Sequence, residues 1–452
     1  PALAVGDVNG DGVEDIYLGG VASQIKHLFI QKAGGKFVDS PQADFSLDQT
    51  TENTDAIFFD ADKDGDQDLF VVTGSNEFAE NAPELHDLLY LNDGNGNLKR
   101  DIRFPMIYEN GSSVSAADYD KDGDIDLFVG TRMVNAKYGQ SAQSNLFIND
   151  GTGGFKNQSK RYMPQVTDLG MVTDSEWSDV NGDGYVDLVV TQDWGPVVVF
   201  KNERGRKLTK QEPVAGSEGL WACLKQADID GDGDVDFVLG NFGLNSKIKA
   251  SIEAPAYLHV GDFDKNGVVE QIISCVTEDG NTYPMLLKGE MQRALPMIKK
   301  KFIKYKDYAN KTVEELFTEE QRDGATVRQI QTTSSSFMMN DGKGNFTLQA
   351  LPYQAQFSPI RAIQTGDFNK DGKLDILLAG NFFDSLPEWG RFDANYGLLL
   401  EGQGKGKFAV KLSKQTGFKT LGQVRNMALV KGGKSTYVVL AKNDEKAQVF
   451  KF

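Results

Sequence analysis

The chain has 452 residues, with 65 acidic and 48 basic side chains and a formal net charge of −17. That sign argues against nucleic acid as the main partner, because phosphate binding needs the opposite one. Apolar types make up 40%, ample for a buried core, and no run approaches the roughly 18 apolar residues of a membrane-spanning helix. Three His (His27, His86, His259) and two Cys (Cys223, Cys275) leave little material for zinc or thiol chemistry. The chain opens at Pro1 with no Met and no signal peptide, which is expected of a processed chain or an excised fragment.

From the N-terminus, the first element is the apolar run Ala2-Leu3-Ala4-Val5, followed by an acidic loop and a second apolar run, Ile16-Tyr17-Leu18. The loop has the form D-x-D/N-x-D/N-G-x-x-D/E and occurs seven times. The first copy holds Asp7, Asn9, Asp11, Gly12 and Asp15; the second Asp60, Asp62, Asp64, Gly65 and Asp68. Next come Asp118, Asp120, Asp122, Gly123 and Asp126, then Asp179, Asn181, Asp183, Gly184 and Asp187. The last three are Asp228, Asp230, Asp232, Gly233 and Asp236; Asp262, Asp264, Asn266, Gly267 and Glu270; and Asp367, Asn369, Asp371, Gly372 and Asp375. One such match arises by chance in roughly one chain per hundred, so seven are not accidental.

The spacing has a physical reason. Oxygens at positions 1, 3 and 5 converge on one hard cation when the loop curls, and Gly at position 6 takes the sharp turn. The carbonyl at position 7 adds another oxygen: here Val13, Asp66, Asp124, Tyr185, Asp234, Val268 and Lys373. This is the front half of an EF-hand loop without its Glu at position 12, where Leu18, Val71 and Val129 stand instead. The closing carboxylate comes at position 9, and apolar runs follow at once, so each loop is expected to join strand to strand. Unneutralised carboxylates so close would repel one another. Calcium suits all-oxygen ligation better than magnesium, and seven divalent ions carrying +14 would bring −17 to −3.

The loops begin at 7, 60, 118, 179, 228, 262 and 367, and the first four intervals (53, 58, 61, 49) suit a four-stranded propeller blade. Hairpins follow them, turning at Gly34-Gly35, Asn92-Asp93-Gly94, Asn149-Asp150-Gly151, Gly205, Asn340-Asp341-Gly342 and Gly402 with Gly404. The loop at Asp262 has no hairpin of its own before Phe337 and is placed in an insertion or outer element of blade five. A seventh, ligand-free blade is read from Met427-Ala428-Leu429-Val430, Tyr437-Val438-Val439-Leu440 and Val449-Phe450; a fourth strand would have to come from residues before Pro1. The expected fold is therefore an all-β, seven-bladed β-propeller. Its blades run at about 1–50, 51–110, 111–170, 171–215, 216–355, 356–420 and 421–452, with a helical insertion at 285–325. In that insertion a helix is expected over Glu290–Phe302, limited by Pro296, with a capping box at Thr312 and Glu315. The lysines at 299–301, with Lys304 and Lys306, read as a solvated helix face.

These β-loop-β units resemble the FG-GAP or VCBS repeats of the integrin α-subunit propeller, over essentially the whole chain. The insertion after Asn241-Phe242-Gly243-Leu244-Asn245 looks similar, more narrowly, to Bacteroidota surface proteins of the ASPIC/UnbV (cartilage-acidic-protein-like) group. The resemblance implies up to seven Ca2+ ions on one face, with the loops between second and third strands on the other. Those loops hold Arg132, Tyr138, Asp193, Trp194, Asn241, Phe242, Phe382, Trp389 and Arg391, types suited to gripping glycans or protein anchors. Trp177 and Trp221 sit near first strands and are expected to pack between blades.

The function expected is a calcium-stabilised binding module for protein or glycan, extracellular or on the cell surface, outer-membrane-associated in a Gram-negative bacterium. The alternatives are a structural subunit of a surface lipoprotein assembly, and a polysaccharide lyase or hydrolase with His86, Glu84 and Asp87 as the place for acid–base work. No nucleophile elbow, H-E-x-x-H or phosphate loop is present, so no catalytic residue is assigned. Loops this short should bind calcium weakly and fill outside the cytosol, where Cys223 and Cys275 could equally pair or stay as buried thiols.

Overall fold

The computed structural model describes residues 1–21, 24–32, 34–433 and 435–452 and, at Asp168, the backbone alone. Each acidic loop ties two antiparallel strands, and a hairpin adds two more. The first sheet is Leu3–Gly6, Asp15–Leu18, His27–Lys32 and Lys36–Asp39, paired in chain order. The second is Asn53–Phe59, Asp68–Thr73, Leu88–Leu91 and Lys99–Asp101; the third Gly111–Ala117, Asp126–Thr131, Asn145–Ile148 and Lys156–Asn157. The fourth runs Met171–Ser178, Asp187–Gly195, Val198–Asn202 and Leu208–Lys210, with Gly219–Leu220 added beside its second strand. Further on come Cys223–Ala227, Asp236–Gly240, Ser336–Asn340 and Phe346–Ala350, and then Ile360–Gly366, Asp375–Gly380, Leu398–Gly404 and Lys407–Leu412. Gln423–Gly432, Ser435–Asn443 and Gln448–Lys451 form a three-stranded sheet at the end.

The second strands explain how these sheets stack. Every residue of Asp68–Thr73, Asp126–Thr131, Asp187–Gly195 and Asp375–Gly380 is buried, so both sheet faces are covered. A hydrophobic core lies between each pair of successive sheets. Phe70, Val72 and Leu89 meet Phe104, Leu127 and Phe147, for example, and Leu188 and Phe200 meet Phe128 and Leu146. The closing core joins Val430, Tyr437 and Val439 of the final sheet to Leu3 and Ile16 of the first. First strands touch in the same cyclic order, with Gln423–Gly432 against Leu3–Gly6. The fold is an all-β propeller of mostly antiparallel sheets with few helices.

One further sheet interrupts the ring between Gly240 and Ser336. Its strands are Ala256–Gly261, Glu270–Val276, Thr282–Pro284 and Thr326–Ile330, the last pairing with the first of them. The Asp262 loop thus belongs to a sheet of its own, and its missing hairpin is explained: the fourth strand returns beside the first. Five short helices cover this sheet, burying Met291, Leu295, Ile298, Val313, Leu316 and Phe317 on Phe263 and Ile272. The expected helix over Glu290–Phe302 is instead two, Lys288–Ala294 and Met297–Lys301. Leu295 leaves helical geometry (φ −121°, ψ 87°) because it precedes Pro296, whose ring disfavours the α region for its neighbour. The Thr312 cap is in place, Thr312 Oγ1 accepting from the Glu315 N–H at 3.3 Å and the Glu315 carboxylate from the Thr312 N–H at 3.0 Å.

Candidate metal centres and the opposite face

All seven acidic loops join the first two strands of a sheet. Position 6 is left-handed in each, from φ 82° at Gly372 to 96° at Gly233, the region that glycine alone enters freely. Position 4 is left-handed too, occupied by Gly10, Gly182 and Gly231 or by Lys63, Lys121, Lys265 and Lys370. In six loops the position-1 carboxylate accepts from the N–H of the position-6 glycine, as in Gly12 to Asp7 at 2.8 Å. In the loop starting at Asp228 it accepts from Gly231 instead. The position-5 side chain accepts from the position-7 N–H, so the oxygens curl inward.

The position-9 carboxylate has a second task. Asp68 accepts from Ala61 N–H in its own loop and from Asn92 N–H just past the end of the third strand, both at 2.8 Å. Asp15, Asp126, Asp187, Asp236 and Asp375 repeat this two-sided clip; Glu270 keeps only its loop bond, to Phe263 N–H. In four of them burial opposes the charge: it is the main cause pushing Asp68 and Asp126 up to about 7 and Asp15 and Asp187 up to about 6, with loop carboxylates adding repulsion.

Four loops bring three acidic oxygens within 4.8 Å of one another: Asp60, Asp62 and Asp68; Asp118, Asp120 and Asp122; Asp228, Asp230 and Asp236; and Asp262, Asp264 and Glu270. Asn9, Asn181 and Asn369 replace one carboxylate in the other three. Buried oxygens without a hydrogen-bond partner cluster here, Oδ1 of Asp60, Asp62, Asp118 and Asp264 among them. An unpaired buried carboxylate oxygen is costly, and a divalent cation satisfies several at once. The residues therefore fit a hard cation. Oδ1 of Asp66 and of Asp234 are orphaned as well, so position 7 offers a carboxylate where only its carbonyl was expected.

Sequence reasoning missed the inter-sheet bolts. Asn202 Nδ2 donates to Val186 O of its own loop at 2.9 Å and to Tyr119 O of the preceding one at 2.8 Å. Asn92, Asn149 and Asn340 make the same pair, and Gln31 does so across the ring closure, to Glu14 O and Lys431 O. The signal was the Asn preceding Asp-Gly in three hairpins, read only as turn chemistry. Position-4 lysines also cross between sheets: Lys63 pairs with Asp124, and Lys121 lies 4.1 Å over the Tyr185 ring.

The FG-GAP-like repeat model matches residues 4–71, 73–129 and 179–239, three stretches that each contain an acidic loop and its flanking strands. The chain carries FG-GAP-like repeats. A curated relative, the T-cell immunomodulatory protein homolog of Plasmodium yoelii yoelii, is 21% identical over 272 residues. That match spans 53% of this chain and 36% of the relative's length. Among solved structures, the V. cholerae biofilm matrix protein Bap1 aligns over all of this chain and 86% of its own, at 12% identity and a TM-score of 0.41. The Dos1 propeller aligns over 53% of each chain at 9% identity and a TM-score of 0.32.

The ends of the sheets away from the acidic loops hold the residues expected on a ligand face. Asp193 accepts from Arg132 Nη2 and from Tyr138 Oη, both at 2.8 Å. Arg391 stacks on Phe383, 4.4 Å from its ring centre, and Phe242 packs edge-on against Phe392 at 4.7 Å. Trp194 and Asn241 offer no surface: Trp194 is buried with Met171, Leu220 and Ile248, and Asn241 is 0% exposed, its side-chain oxygen accepting from Leu220 and Phe242 N–H. Trp389 packs half-buried against the same cluster as Trp194. Trp177 and Trp221 are buried between sheets, donating to Ser115 O and Ser217 O.

His86 does not meet the carboxylates expected beside it. Its Nδ1 lies 3.2 Å from Arg100 Nη2 and its Nε2 is buried without a partner, while Asp87 accepts from Thr73 N–H. Burial, then the Arg100 charge, lowers His86 to about 4, leaving it neutral near pH 7. Cys223 and Cys275 are both free thiols. Among the described residues no helix is long and apolar enough to cross a membrane.

Proposed function

We propose that this chain is a calcium-stabilised extracellular binding module, a seven-bladed propeller with an inserted sheet in its fifth blade. The observation that carries the reading is the set of orphaned buried carboxylate oxygens in four of the seven loops, those starting at Asp60, Asp118, Asp228 and Asp262. Calcium neutralises them, up to seven ions in all, and clamps the strand ends on one face. The other face, with its longer loops, is left to recognise a protein or glycan. A relative named for T-cell immunomodulation fits a chain that works by binding and not by turnover. Weak calcium loops fit a compartment rich in that ion, outside the cytosol.

The test is equilibrium binding of the calcium-loaded chain to a glycan array and to a displayed library of extracellular proteins. Binding that saturates and weakens on Arg391→Ala supports the reading. Cleavage of uronic-acid polymers without saturable binding contradicts it and favours an enzyme.

A further inference from the structure

The first strands enclose a central cavity of ≈430 Å3, lined from Thr54 and Asp55 round to Arg425 and Asn426. Most of its charged groups are already engaged. Asp55 accepts from Ala56 and Val114 N–H, and Asp174 from Ser175 and Leu224 N–H, bridging neighbouring sheets. Glu176 is held by Lys225 Nζ and Gln226 N–H, both at 2.6 Å. At the end away from the acidic loops the accounting fails. Arg361 and Arg425 line the wall there, near the starts of the strands Ile360–Gly366 and Gln423–Gly432. Arg361 Nε is buried with no hydrogen-bond partner, and among the described residues its guanidinium has no ion pair. The Phe382 ring centre lies 5.3 Å from its guanidinium carbon.

The nearby carboxylates do not supply the missing acceptor. Asp193 is taken by Arg132 and Tyr138; Arg425 Nη2 donates to Gln423 Oε1 at 2.9 Å and makes a loose ion pair with the exposed Asp384 at 3.7 Å, which leaves Arg361 as the unmatched cation. Burial first, then the neighbouring Arg425 and Arg132 charges, lowers Arg361 to about 9, as expected of a buried cation crowded by like charges. Paired guanidiniums on a half-buried wall are suited to a planar carboxylate, which accepts parallel N–H bonds.

We infer that this end of the central channel is a carboxylate-binding site, built by Arg361 and Arg425, that takes a Glu or Asp side chain of a partner polypeptide. The proposal rests on the face reading above and deepens it. A side chain on a flexible stem reaches into the channel, whereas a uronate sugar wants a free aromatic platform. The rings beside the site are already committed: Phe242 packs on Phe382 and Phe392, and Phe382 lies under both Arg361 and Arg425.

The probe is a fluorescein-labelled, C-terminally amidated peptide with a central Glu-Glu pair, measured by fluorescence polarisation beside its Gln-Gln counterpart. The Glu peptide is expected to bind at least about tenfold more tightly, and Arg361→Gln and Arg425→Gln each to lose about that factor. Arg361→Lys, which keeps the charge in a smaller head, should retain part of the affinity, which separates loss of the site from loss of the fold. Equal affinity for the two peptides, or unchanged binding by both Gln variants, overturns the site. So does tetragalacturonate displacing the peptide at a concentration below that of unlabelled Glu peptide. If surface ligands are lost on Arg391→Ala but not on Arg361→Gln, the channel site fails while the binding face stands.

Discussion

Chelating calcium with EGTA should lower the melting temperature by about 10 °C or more, and added calcium should restore it. A ligand held at 100 times its dissociation constant stabilises the folded state by about 2.7 kcal/mol per site, and independent sites add. Without the ion, the orphaned Oδ1 atoms of Asp60, Asp62, Asp118 and Asp264 are left facing other carboxylates with no donor in reach. The loss should be graded by loop. Asp118→Asn, which removes an orphaned oxygen from a three-acid cluster, should shrink the calcium-dependent shift more than a change in the Asp367 loop, where Asn369 already replaces one carboxylate. Differential scanning calorimetry in EGTA and in millimolar calcium measures both effects; identical curves would show that the loops need no cation.

Asn202→Ala should cost about 2–4 kcal/mol in unfolding free energy. The substitution deletes two donors in a fully buried position and leaves Tyr119 O and Val186 O without them, each carrying a desolvation penalty of about 1–3 kcal/mol. It also removes the acceptor of Gly205 N–H, at 2.7 Å. Because the two carbonyls belong to different sheets, the damage falls on the seam between them and not on one strand. An exposed turn position such as Asn97, which bonds only Asp93 in its own hairpin, should lose less than about 1 kcal/mol on the same change. Urea unfolding of both variants, in saturating calcium, separates the two cases. Equal losses would reduce the Asn bolts to ordinary turn residues.

Much of the architecture is legible in the sequence because the repeat writes the same physics many times. Asp at alternate positions with Gly at the sixth defines the loop, and apolar runs on both sides define buried strands. What was not legible depends on partners distant along the chain. Asn92 and Asn149 look like turn formers beside Asp-Gly, and only the neighbouring sheet, 84 or 88 residues away, reveals what their amides hold. The doubled use of position 9, as clip and as candidate ligand, is hidden for the same reason: its second partner lies on a strand whose register the loop does not fix. The inserted sheet escaped because Thr326–Ile330 pairs backwards with Ala256–Gly261 across five helices. Trp194 and Asn241 looked available on a loop, but folding draws both inward, Trp194 at a left-handed φ of 53°. Arg361 carried no motif at all; it became visible only as a buried cation lacking an acceptor.

The central claim is that captured divalent ions neutralise the repeated carboxylate loops. Calcium bound per chain, measured by equilibrium dialysis against a calcium-buffered solution with elemental analysis of the protein, tests it most directly. The account predicts a stoichiometry approaching seven at saturation, with the four three-acid loops filling first. A chain that stays folded and binds none at millimolar calcium would contradict it.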